Sequence, residues 1–176
     1  MKRTLIVVFW LLCVAGLTFA VVRFSGLLET MFTPGEPDAV VFSADMPLPD
    51  DPTFFLVCAG DLCPPDADRQ MTSPVFNVAA TQLLSRVEEV ALNSKAVIVE
   101  RNPRTLEMRL LIRTPVMRFP DWIDIRIVPV DEDHSQLLAL SRSVYGSGDF
   151  GANEKRLKKW LTALRDIVGE GRNTAG

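Results

Sequence analysis

Towards the C-terminal end of the chain, Ser141-Arg142-Ser143 is followed by Gly146, Gly148, Asp149, Gly151, Asn153 and Arg156. Hydroxyls, guanidiniums, a carboxylate and an amide so close together have three readings. In the first they build structure: the glycines permit tight or left-handed backbone, and Asp149 or Asn153 caps a following helix. Arg142 and Arg156 then pair with Asp149 or Asp124. In the second, Arg142, Ser143, Asn153 and Arg156 join the helix N-terminus in an anion or partner-binding site, with Asp149 competing for the arginines. In the third they are catalytic, and here the ingredients are thin. Ser141 and Ser143 have no histidine near them in sequence, and His134 alone defines no triad. Asp121 and Asp124, beside Trp122, read as turn and surface residues. No catalytic residue is assigned, and an envelope hydrolase is kept as the alternative.

Cys58 and Cys63 bracket Ala-Gly-Asp-Leu, and in an oxidising compartment such a pair can close a small disulfide loop. The spacing is not that of a Cys-x-x-Cys redox motif. Zinc would need two further ligands, and the single histidine lies far along the chain. The sequence therefore predicts neither metal nor cofactor. The net charge of −3 argues against a general nucleic-acid binder, which normally requires a basic surplus, and leaves room for a local basic face.

Six elements must position these residues. Val75 to Asn93 carries Val78, Leu83, Leu84, Val87, Val90 and Ala91 at helical spacing. Strand character follows at 97–101, 106–114, 122–130 and 136–145, separated by turn chemistry short enough for antiparallel neighbours. A last helix from about Ala152 to Val168 gathers Leu157, Trp160, Leu161, Leu164 and Val168 on one face. The prediction is an α+β fold, a four-stranded antiparallel meander with its N- and C-terminal helices on one face. Alternation places Met108, Leu110, Ile123, Ile125 and Ile127 under the helices. Arg109, Arg113, Arg118 and Arg126 are left as a basic strip, either a solvated face or a contact for anionic headgroups. Trp122 and Trp160 read as packing residues.

Before this domain, residues 4–22 carry no charge and reach the length of a membrane-spanning helix. Lys2 and Arg3 precede the span and Arg23 follows it, which predicts a single pass with a cytoplasmic N-terminus and a periplasmic or otherwise extracytoplasmic body. A cleaved signal peptide ending near Thr18-Phe19-Ala20 is the alternative. Prolines and aspartates recur from 33 to 74 and describe an extended stalk, except that Phe54-Phe55-Leu56-Val57-Cys58 is too apolar for water and should dock as an edge strand. The expected organisation is an anchor at 1–24, an acidic spacer at 25–74, a domain at 75–170 and a disordered tail at 171–176.

Phe119-Pro120-Asp121-Trp122-Ile123, with Ser-Arg-Ser, Gly146, Asp149, Gly151, Asn153 and Arg156, closely resembles the family of unknown function DUF1499 from Val75 to Asp166. Val144 departs from it where many members carry a basic residue. The resemblance implies the domain boundary and a preceding membrane segment, and no reaction. The expected role is a membrane-anchored accessory module that binds an anionic lipid, an envelope polymer or a partner protein.

Overall fold

The computed structural model describes residues 2–50, 52–65 and 67–169; the tail expected at 171–176 lies outside them. The helices are α1 (Lys2–Phe24), α2 (Leu27–Met31), α3 (Ala80–Asn93) and α4 (Ala152–Val168). The strands are β1 (Phe54–Cys58), β2 (Gln70–Thr72), β3 (Val75–Phe76), β4 (Val97–Asn102), β5 (Glu107–Arg113), β6 (Pro120–Pro129) and β7 (Ser135–Ser143).

The α+β class holds, but the sheet has seven strands where four were expected. Its order is β2-β1-β7-β6-β5-β4, with β3 also pairing β7. β4 to β7 form the antiparallel meander. β1 adds antiparallel to β7, and β2 runs parallel to β1. β1 is thus an interior strand, buried at all five positions, and not the edge strand expected. Its alternation serves two cores: Phe55 and Val57 face the helices, while Phe54, Leu56 and Cys58 face the other way. The first helix of the domain also begins later than the periodicity suggested. Val75 and Phe76 pair with Gln136 and Ser135 as strand, and helix starts only at Ala80. An apolar pair satisfies either period, so the pattern could not separate them.

One face of the sheet is covered by α3 and α4. Leu83, Leu84 and Val87 from α3 and Leu157, Trp160, Leu161 and Leu164 from α4 pack on Met108, Leu110, Ile123, Ile125, Ile127, Leu137 and Ala139. Trp160 also donates from Nε1 to Ser94 Oγ at 2.9 Å.

The opposite face is covered as well, by the Pro- and Asp-rich segment itself. Phe42 and Met46 pack with Phe54, Leu56, Leu138 and Leu140 in a second apolar cluster. Prolines keep this segment out of helix, and the sheet beneath supplies its contacts. Cys58 and Cys63 are joined by a disulfide, closing the turn after β1. α1 is long and apolar enough to cross a membrane, and none of its residues is buried in the domain; at 1.5 Å per residue it reaches about 34 Å.

Candidate functional site

Two polar networks stand on opposite faces of the sheet. Under the helices, the Arg156 guanidinium binds Asp121 through Nη2 and donates through Nη1 to Ser141 Oγ at 2.7 Å and Asn153 Oδ1 at 2.6 Å. Asn153 Nδ2 donates to Thr53 O at 2.8 Å, Ser143 Oγ at 3.0 Å and Asp149 Oδ2 at 2.9 Å. Asp121, Ser141 and Asn153 are fully buried. Gly151 sits at the α4 N-cap with φ 73°, a left-handed conformation that suits glycine. Asp149 then satisfies free N–H groups, accepting from Gly151 N at Oδ1 and Asn153 N at Oδ2, 3.0 Å each, while Arg69 Nη2 lies 3.4 Å from Oδ1. Burial opposes ionisation of Asp149, but these donors together hold its carboxyl below the ordinary carboxylate range.

On the other face, Asp124 is clasped by Arg109 Nε at 3.0 Å and Arg142 Nη2 at 3.1 Å. Burial pushes its carboxyl above the ordinary range, against the pull of Arg142 and Arg109. The same side chains hold the incoming chain as a strap. Arg109 donates to Pro37 O at 2.7 Å, Arg142 to Asp38 O at 3.0 Å, Trp122 Nε1 to Pro34 O at 2.9 Å and Arg113 to Phe32 O at 2.9 Å. Arg109 also lies over the Trp122 ring, 5.0 Å from its centroid.

The structure therefore gathers Ser143, Asp149, Asn153 and Arg156 and leaves Arg142 across the sheet. Asp121 and Asp124 are buried partners of arginines, not the turn and surface residues expected. The basic strip is largely taken: Arg109 and Arg113 hold the strap, and Arg118 pairs with Glu29 of α2 at 2.5 Å. Among the described residues the Ser141 and Ser143 hydroxyls are bonded to Asn153 and Arg156, not to a carboxylate or imidazole. His134 Nδ1 is bound to Asp131 at 2.8 Å in the β6–β7 turn, about 24 Å along the strand from Ser141. Among the described residues no three His, Cys, Asp or Glu side chains are grouped to hold a metal.

A basic groove of about 860 Å³ opens between the α3–β4 turn, the end of β5, the turn after it and the first half of α4. Lys95, Lys155 and Lys159 line it with Arg23, Arg113, Arg118 and Arg156, and no carboxylate does. Arg118 and Arg156 are neutralised by aspartate or glutamate elsewhere. Among the described residues Lys155 Nζ reaches only the Phe150 carbonyl, at 3.2 Å, and Arg23 reaches Pro115 O at 2.7 Å. Sequence reasoning missed this groove because its cations come from separate elements. The run Glu154-Lys155-Arg156-Leu157-Lys158-Lys159 on α4 was the available signal.

A mostly antiparallel sheet gripped between two helices and a strapped chain, with an apolar helix at its N-terminus, is the class of protein defined here. The chain belongs to the family described as protein of unknown function (DUF1499), whose profile matches residues 33–164. That match starts inside the strap, well before Val75, in keeping with the strap's place in the fold. Among curated proteins none matches the chain. A solved structure similar in part is the di-domain ARO/CYC BexL from the BE-7585A biosynthetic pathway, at 15% identity and a TM-score of 0.40. It covers 53% of this chain, which spans 44% of that one, and a likeness of this size carries no functional argument.

Proposed function

We propose that the protein is a membrane-anchored, extracytoplasmic binding module that holds an anionic group of an envelope component in the basic groove. The observation that carries this reading is the groove's charge: no carboxylate lines it, two of its seven cations are paired outside it, and lysines 95, 155 and 159 have no acidic partner among the described residues. Converging cations without counter-charges favour anion binding, and nearby low-dielectric walls strengthen the attraction. Position supports it too. Arg23, at the end of α1, lines the groove, so with α1 retained in the bilayer the cations stand where anionic headgroups lie. Lys2 and Arg3 keep the short N-terminal side cytoplasmic and the domain outside.

The Ser-Arg-Ser to Arg156 motif supports the groove indirectly. Asp121 fixes Arg156, and Asp149 fixes the start of α4, the helix that presents Lys155 and Lys159. The test is the melting temperature of the full-length protein in phosphatidylcholine nanodiscs as inorganic phosphate is raised. A ligand that binds only the folded state raises it in proportion to RT ln(1 + [L]/Kd). The rise should be lost in Lys155→Gln/Lys159→Gln. No rise, or an equal rise in both proteins, refutes the reading.

A further inference from the structure

Beside the basic groove lies a second cavity, of about 280 Å³, with walls of the opposite character. Val116, Met117, Phe119, Tyr145 and Phe150 line most of it, with Asp121 and Asp149, each held by an arginine, at its inner side. Phe150 is 95% exposed and Val116 59% exposed, so its rim offers bulky apolar side chains to the surroundings. The two cavities share Thr114, Pro115 and Ala152 as a common wall. The ion pair that spans the divide is Arg156, which lines the groove, with Asp121, which lines the pocket. Asp121 is fully buried beneath that divide.

Position identifies the occupant. The turn that forms the shared wall is held to the end of α1 by the bond from Arg23 to Pro115 O. An apolar rim at the foot of a membrane-length helix, next to seven cations, faces two chemistries that occur together in one class of molecule. We infer that the site takes a single anionic amphiphile, with its charged head in the basic groove and the start of its chain in the apolar pocket. One charged head beside one chain is the arrangement of a lysophospholipid. This rests on the proposed anion-binding role of the groove and adds the identity of what is bound.

The test uses full-length protein in phosphatidylcholine nanodiscs, corrected with empty discs. The probes are glycerol 3-phosphate and its 1-butyl, 1-hexyl and 1-octyl ethers. Affinity should rise about fourfold per buried methylene until the pocket is full, then level off. In Val116→Ser/Phe150→Ser, two exposed positions, the rise should flatten while glycerol 3-phosphate binds as before. Affinity independent of chain length but lost in Lys155→Gln/Lys159→Gln overturns the amphiphile and leaves the anion groove standing. A chain-length dependence untouched by the rim variant removes the pocket from the account. Binding of no probe overturns both readings.

Discussion

Arg142 on β7 and Arg156 on α4 stand on opposite faces of one sheet, each closed on its own buried aspartate. The register explains why. Arg142 pairs across from Trp122, with Asp124 two residues further along β6 on the same face, whereas Asp121 points to the helix side. No ligand can touch both guanidiniums through the sheet. One arginine holds the strap and the other holds α4, and the open cations lie elsewhere.

Arg156→Ala should be severely destabilising. It strands Asp121, whose side chain is 1% exposed, and removes the donors to Ser141 and Asn153. Breaking a buried pair by removing one partner costs about 3–5 kcal/mol, which in a chain of this size lowers Tm by roughly 2–4 °C per kcal/mol. A thermal melt shows it, and a loss below about 1 kcal/mol would mean the pair is idle.

Acid sensitivity should report Asp149. Its folded pKa is lowered, so its contribution is present above the ordinary carboxylate range and is lost as pH falls through the folded value. Asp149→Asn should therefore flatten the loss of stability below about pH 4 and cost about 1 kcal/mol near neutrality as a weakened cap. Asp124, raised by burial, titrates with the opposite sign, so variant and wild type are compared across the same pH series. Parallel acid limbs would show that Asp149 is not the group responsible.

Phe42→Ala separates a docked strap from a free stalk. Phe42 is 4% exposed within the second apolar cluster, so truncation should cost about 3–5 kcal/mol and speed proteolysis within 33–50. A stalk residue would leave both unchanged.

Much of this fold was legible in the sequence, and the losses have physical causes. Strand alternation identified the isoleucine face under the helices because a period of two is a local property. The last helix was found at its observed bounds, since its apolar stripe is undisturbed by proline or glycine. Local pattern could not reveal that Trp122, Arg109 and Arg142 face a strap, because its partners at Pro34, Pro37 and Asp38 are distant in sequence and offer backbone carbonyls. Asp121 and Asp124 looked like surface residues for the same reason: their arginines arrive from β5, β7 and α4. Of the Ser-Arg-Ser to Arg156 motif only Arg156 lines the groove, which needed the fold to bring Lys95 and Arg113 to α4.

The Cys58–Cys63 bridge closes a loop with a sequence separation of five. Loop-closure entropy for so short a ring gives about 2 kcal/mol. Cys58→Ala/Cys63→Ala, or dithiothreitol added to wild type, should lower stability by that order in a thermal melt. Identical melts with and without reductant would contradict it.

The central claim is that the groove, and not the two paired arginines, receives an anion. Calorimetric titration of inorganic phosphate into full-length protein in phosphatidylcholine nanodiscs tests it most directly, with Lys155→Gln/Lys159→Gln and Arg142→Ala measured alongside. The account predicts saturable binding that weakens with salt, falls at least about tenfold without the two lysines and persists in Arg142→Ala. Binding that survives the loss of the lysines and disappears with Arg142 would contradict it.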